Sequence, residues 1–440
     1  MSEKNSDKDS YYQALRSYVL ELHDSHTVLL PDPDNKEAIN FATGLVNKHT
    51  AGSYGLVITK TSASQYVVSY VEPGSSADTA GIQAGDEILT WNNKPIMQAA
   101  SATDVVWSDQ YNFVCPGCSY APPTQANVDY EQLRMMVRGS VGTTATVSWR
   151  SSVSHQTKSI ALIANDDQGK IARKTSLYSV PASANLSAGD ISVVNQGSPP
   201  ETQISVNWLP HNYAQIKISG FDDGDYASFD ENEKDSVFYK YLAATVNKVI
   251  AARPAGIVMD VRGNSGGDGR LAMDLAGFFT AESQAQFNIR FLFYNTLFTN
   301  YLPIPGWGPV YINGQTPNYT GPTVVLTDIG TVSAGEWAAL AFQRIGKPVM
   351  SLYANTQGAF AGPVGAPFIG MPGNFVINFS SSRAYDENNN LLVESDGNLQ
   401  GGVKTDVMIP LDANAAIDIN TNGKDIALDY AIAYLKQHGN

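Results

Sequence analysis

The chain has 440 residues, too many for one compact core and suited to two or three domains at roughly 100–200 residues each. Its 28 Lys+Arg against 42 Asp+Glu leave a net charge of −14, the wrong sign for a partner of bulk nucleic acid or of an anionic membrane. Hydrophobic residues at 43% can fill sizeable cores, and charged residues at 16% leave a surface of Ser, Thr, Asn and Gly that reads as exported rather than cytosolic.

Residues Met1 to Ser10 are polar, without an apolar signal core, and read as what a cleaved signal peptide leaves behind. No run reaches the roughly 18 apolar residues of a membrane helix. Residues 1–50 are expected to form an N-terminal helical segment. Its first helix places Leu15, Tyr18, Val19 and Leu22 on one face. Asp24-Ser25-His26-Thr27 follows, and Pro31 and Pro33 stop any continuation.

From Ala51 to Ile163 the texture changes to short strands and turns. Gly55 to Ile58 and Tyr66 to Val71 read as strands, Trp91 to Ile96 as a strand–turn–strand, Asp129 to Val137 as a helix, and Thr144 to Trp149 as a closing strand. The ordered series resembles a PDZ domain over 51–163. That resemblance implies that the loop Ser53-Tyr54-Gly55-Leu56 offers backbone N–H groups to a peptide carboxylate, while the chain end adds to the sheet edge. Residues 101–126 have no counterpart in a minimal PDZ domain and read as an insertion. They carry Cys115-Pro116-Gly117-Cys118, whose spacing suits a local disulfide, half a zinc site or a redox pair. The absence of a second Cys pair disfavours zinc, and a bridged or reduced surface loop is the simpler reading. Outside the cytosol the pair is expected to be oxidised.

Residues 164–212 read as a connector with some strand character, and 213–440 as an α/β core. Ala214 to Ile218, Ile257 to Val261 and Thr323 to Thr327 are buried-strand runs. A helix between the first two carries Phe238, Leu242, Val246 and Val249 on one face. Asp418 to Gly423 imitates a calcium loop but lacks the bidentate Glu and has no amphipathic helix before it. It reads as a turn capping a last helix, Ile426 to Leu435.

Three positions could carry chemistry. Ser333 follows a buried strand at a helix start, where helix N–H groups can stabilise an oxyanion, yet Ser333-Ala334-Gly335-Glu336 is also a Ser-x-x-Glu capping box, the commoner use of that spacing. Gly266-Gly267 could bring N–H groups close to a reacting carbonyl, or simply make a turn. His26 could be a general base or a surface histidine.

The order of a helix, Asp24-Ser25-His26-Thr27, a PDZ domain, Asp260-Val261-Arg262-Gly263-Asn264-Ser265-Gly266-Gly267 and Thr331-Val332-Ser333-Ala334-Gly335-Glu336 resembles the carboxy-terminal processing (tail-specific) serine peptidases. Ser265 stands where the family usually has proline. Gly402-Val403, followed by Asp406, resembles the terminal Gly-Val-x-Pro-Asp element with Thr405 in place of the proline. The best-known branch pairs its serine with a lysine roughly two dozen residues later. Here Asn355 to Pro363 contains none, Lys347 falls too early and Lys404 too late. Ser25-His26 ahead of the PDZ domain instead resembles the Ser-His branch that contains the tricorn core and a chlamydial secreted protease.

The resemblance implies a crotonase-like ββα core and an exported serine endopeptidase without metal or organic cofactor. Ser333 would be the nucleophile, His26 the general base and Ser25 its helper, with Gly266 or Gly267 and Ala334 forming the oxyanion hole. Glu394 is the expected third member, with Gln400 as the alternative. Substrates would be proteins or peptides with free C-termini. The rival reading is a non-catalytic PDZ-containing binding protein on a decayed peptidase scaffold.

Overall fold

The computed structural model describes residues 7–110, 115, 117–177, 199–222, 236–282, 290–294, 301–303, 310–352, 354–362, 368–386 and 388–438. It forms two units: 1–193 with 368–379 and 410–426, and 194–367 with 380–409 and 427–440. The stretch 213–440 is therefore not one continuous core, because two of its segments fold with the N-terminal unit.

In the first unit, helix α1 (Lys8–Leu20) is capped by Asp7 and buries Tyr12, Leu15, Arg16 and Val19. The expected apolar face was rotated: Tyr18 is 53% and Leu22 39% exposed, and Tyr12 takes their place against Leu29, Leu45, Phe375 and Ile377. Arg16 is fully buried with its guanidinium donating to the carbonyls of Val106 at 2.6 Å, Ser108 at 2.8 Å and Cys118 at 3.2 Å and to the Tyr12 hydroxyl at 3.3 Å. These bonds tie the expected insertion to α1. A disulfide joins Cys115 to Cys118. Strand β1 (Val28–Pro31) pairs antiparallel with Phe375–Asn378 on one side and with Ser119–Tyr120, just after the disulfide, on the other. Helix α2 (Lys36–Thr50) starts where Asn35 caps Ala38 N–H.

The PDZ-like part is a sheet in the order β6 (Thr157–Ile163), β5 (Thr144–Arg150), β4 (Glu87–Trp91), β3 (Tyr66–Val71) and β2 (Leu56–Lys60), so β2 lies at an edge. Helix α3 (Gln125–Met136) completes its core with Leu133 and Met136 against Leu56, Val68, Ile88 and Val147. Asn92 and Asn93, both at positive φ (50° and 62°), make the tight turn after β4. A helix, Ala413–Asn420, does precede the calcium-like loop, contrary to the sequence reading. It docks on β3 through Asn420 and Thr421, both bonded to Ser69. Asp418 bonds Asn422 and Lys424.

The second unit holds a six-stranded sheet in the order β7 (Ile204–Leu209), β8 (Tyr213–Ile218), β9 (Gly256–Asp260), β10 (Thr323–Leu326), β11 (Val349–Ser351) and β12 (Val407–Met408), beside a three-stranded one of Tyr301–Pro303, Arg290–Tyr294 and Ser382–Tyr385. Within the six-stranded sheet, β7 alone runs antiparallel to its neighbour. It comes from the stretch read as a connector. Strands β9 and β10 are buried at every position, which is why their sequences are unbroken apolar runs rather than alternating ones. Helix α4 (Val237–Ala251) buries the four residues expected of it. Helices α5 (Gly269–Gly277) and α6 (Ala334–Arg344) follow the loops that leave the carboxyl ends of β9 and β10. Ligand-reactive positions of parallel sheets gather at those ends.

Candidate active site

The loop after β9 is fixed from below. Asp260, fully buried, takes a two-point bond from the Arg262 guanidinium (2.9 and 2.6 Å) and a third from Gln215 (2.7 Å). That network explains why Asp and Arg stand two apart at the strand end. Asn264, also fully buried, anchors the turn: its amide donates to Ile218 O at 2.9 Å, and its Oδ1 accepts the Gly266 N–H at 2.9 Å. Its backbone carbonyl accepts Val332 N–H at 3.0 Å, which holds the loop after β10 beside it. Across that loop, Asp328 accepts N–H bonds from Gly263 and Gly330.

Ser333 sits where these loops meet. Its φ of 54° and ψ of −122° lie in a region that a non-glycine residue occupies only when its surroundings force it. It precedes α6, yet its side chain makes no capping bond, so the capping-box reading does not hold. Its N–H donates to Ala359 O at 3.0 Å. Gly266 faces it directly: a Cβ there would lie 2.7 Å from Ser333 Cβ and 3.1 Å from its Oγ. Gly266 and Gly267 have φ of 99° and 125°, conformations that require glycine here.

Of the three expected oxyanion donors, Gly266 has its N–H committed to Asn264. Those of Gly267 and Ala334 have no acceptor among the described residues. Ala334 N–H is one of the first-turn donors that a helix leaves unpaired.

Glu394 is buried and accepts N–H bonds from Ala361 (2.6 Å) and Phe360 (3.3 Å). Gln400 is exposed on a turn around Asp396, its amide on Asn398 O. Lys347 bonds Gly321 O at 3.3 Å. A residue the sequence reading passed over as a capping partner, Glu336, is fully buried and accepts from Thr356 Oγ1 (2.5 Å) and the N–H groups of Gly358 (2.7 Å) and Ala359 (2.9 Å). Burial pushes its carboxyl up to about 7, against the pull of these bonds and of the Ser333 N–H.

His26 and Ser25 belong to the first unit, in the turn that leads into β1. The His26 side chain is 16% exposed, and Nδ1 has no hydrogen-bond partner among the described residues. Asp24 Oδ1 lies 4.0 Å from that nitrogen and accepts the His26 N–H at 2.8 Å. Burial lowers the imidazole below its ordinary 6.5, against the opposing charge of Asp24, so the neutral, proton-accepting form prevails at pH 7. Ser25 is buried.

In the PDZ-like part, Ser53 Oγ accepts the Gly55 N–H at 3.0 Å, and the Tyr54 N–H goes to Val137 O at 3.1 Å. Gly55 O accepts Glu72 N–H, which turns the N–H of Leu56, the next residue, toward the open edge of β2.

Residues 212–409 match the model described as peptidase family S41, and residues 67–106 that of the PDZ domain. No curated protein matches the chain. Among solved structures, mature CPAF complexed with lactacystin aligns with TM-score 0.55 at 14% identity, covering 99% of this chain and 89% of that one. A CPAF mutant aligns with TM-score 0.59 at 13% identity, covering all of this chain and 90% of that one. At such identities the likeness is one of fold.

Proposed function

We propose that this chain, a serine-type peptidase whose residues 212–409 match peptidase family S41, cuts protein substrates through an acyl-enzyme on Ser333, with His26 as general base. His26 takes the Ser333 proton as Oγ attacks the peptide carbonyl. The oxyanion is held by the N–H groups of Gly267 and Ala334 rather than Gly266, whose N–H is spoken for. His26 then returns the proton to the leaving amine, and water hydrolyses the ester by the same route in reverse. Ser25 supports the base and Glu394 is the acid of the set. The observation that carries this reading is the backbone of Ser333, held at positive φ with its hydroxyl free of the helix cap and set against Gly266.

A fluorophosphonate probe tests it. Peptide mapping should find the adduct on Ser333 alone. A folded protein that takes no label there would return the reading to a non-catalytic scaffold.

The same proposal assigns substrate tails to the β2 edge, with Leu56 N–H as the donor left for a carboxylate and Ser53, Tyr54 and Gly55 shaping the loop. The inactive Ser333→Ala protein should bind peptides with a free C-terminus more tightly than their amides. Equal affinities would remove the carboxylate from the account.

A further inference from the structure

Four consecutive N–H groups, those of Gly358, Ala359, Phe360 and Ala361, point onto two buried carboxylates, the first pair onto Glu336 and the second onto Glu394. Between them, Ala359 O accepts the Ser333 N–H, and Phe360 O accepts Trp337 Nε1 at 3.0 Å. This segment occupies the region where the Ser-Lys branch would carry its lysine, and here it braces the nucleophile from behind.

Glu336, one turn beyond Ser333, pairs with no Lys, Arg or His among the described residues. The ionisable groups on the elements around it are Asp268, Arg270 and Asp274 of α5, Arg344 at the far end of α6, Asp328 before Ser333, Lys404 and Asp406 by β12, and Glu394 across the loop. None is bonded to it. Its bonded partners are the donors of Thr356, Gly358 and Ala359, and the Ser333 N–H favours the carboxylate as well. The Thr356 oxygen already accepts Val403 N–H at 2.7 Å, so the Thr356 proton is directed at Glu336. A protonated Glu336 would bring a further hydrogen to a place where donors already converge, leaving a buried donor unmatched.

We propose that Glu336 is a positioning residue: as a carboxylate it holds residues 356–359 and, through Ala359 O, the backbone of Ser333, and its protonation releases that brace and disables the enzyme on the acid side. The proposal rests on Ser333 being the nucleophile. A carboxyl pushed up to about 7 by burial places the transition near neutrality.

The test measures kcat and KM on an unfolded protein substrate from pH 5 to 9, and fluorophosphonate labelling of Ser333, for the full chain and two variants checked for folding by circular dichroism. Glu336→Gln should keep KM but lose kcat by about 10–100-fold, as expected when a nucleophile shifts by under an ångström. Its remaining activity should have an acid limb displaced to lower pH, where His26 alone titrates. Thr356→Val removes one bond that favours the carboxylate, so its limb should move to higher pH. Opposite movements of the two limbs are what a merely structural role would not produce. A wild-type kcat and unmoved limb in Glu336→Gln, or a limb in Thr356→Val that stays or falls, overturns the proposal while Ser333 labelling keeps the nucleophile. If Glu336→Gln fails to fold, Thr356→Val decides alone. Loss of labelling in the wild type instead sinks the nucleophile assignment, and this proposal with it.

Discussion

Replacing Gly266 by alanine should separate the geometry of the nucleophile from the stability of the fold. The new Cβ would lie 2.7 Å from Ser333 Cβ, against about 3.5 Å for comfortable carbon contact. The difference, about 0.8 Å, must come from one of the two loops. Gly266 is held by Asn264, and Ser333 by Ala359 and the start of α6, so both loops strain and Ser333 is pushed off its line. A misplacement near 1 Å costs about 100-fold in rate. Holding alanine at a φ of 99° adds about 1–3 kcal/mol of strain. Gly346→Ala is the control, since Gly346 shares a positive φ (78°) but has open space where a Cβ would go. Both variants should melt earlier than the wild type, but only Gly266→Ala should lose kcat, by about 100-fold, with KM little changed. Steady-state kinetics beside thermal melts decide it. Equal kcat in the two variants would refute the argument that Gly266 is glycine to make room for Ser333.

Glu336 should also leave a mark on stability, with a sign opposite to its effect on activity. Its folded-state carboxyl is raised from 4.5 to about 7, so the stability it contributes is full below about 4.5 and is lost as pH rises through 7. The loss amounts to roughly 3 kcal/mol, at about 1.36 kcal/mol per pH unit. Denaturant titrations should show that part of the pH dependence vanishing in Glu336→Gln, and an unchanged slope would contradict the burial argument. The Cys115–Cys118 bridge leads straight into Ser119–Tyr120, the neighbour of β1 beside His26. Protein purified without reductant should show no alkylated thiol by intact mass, and reduction should slow turnover several-fold. Two free thiols in fully active protein would contradict this.

Much of the α/β core was legible because burial on both faces writes itself into sequence as an unbroken run, as in Ile257-Val258-Met259. The helix face Phe238, Leu242, Val246 and Val249 was legible for the complementary reason, a clean helical period. The N-terminal helix misled because Arg16, buried by carbonyls of a distant loop, sits where a charged residue normally marks the solvent face. Pairing of β1 with Phe375–Asn378 spans almost the whole chain, and no local pattern announces it. At the site, motif order picked out Ser333 and the glycines, but Ser-x-x-Glu spacing hid Glu336. Only the positive φ of Ser333 and the return of residues 356–359 show that the box is not a cap. Which glycine keeps its N–H open depended on where Asn264 points, a matter of one side-chain torsion.

The central claim is that Ser333 and His26 act as one unit. The most direct measurement is kcat/KM on an unfolded protein substrate for Ser333→Ala, His26→Ala and the double variant, each shown to be folded. General-base removal costs about 10²–10⁴-fold, and groups that work together are not additive. The double variant should therefore be no slower than the worse single one. Full activity in Ser333→Ala, or single losses that multiply in the double variant, would contradict the account.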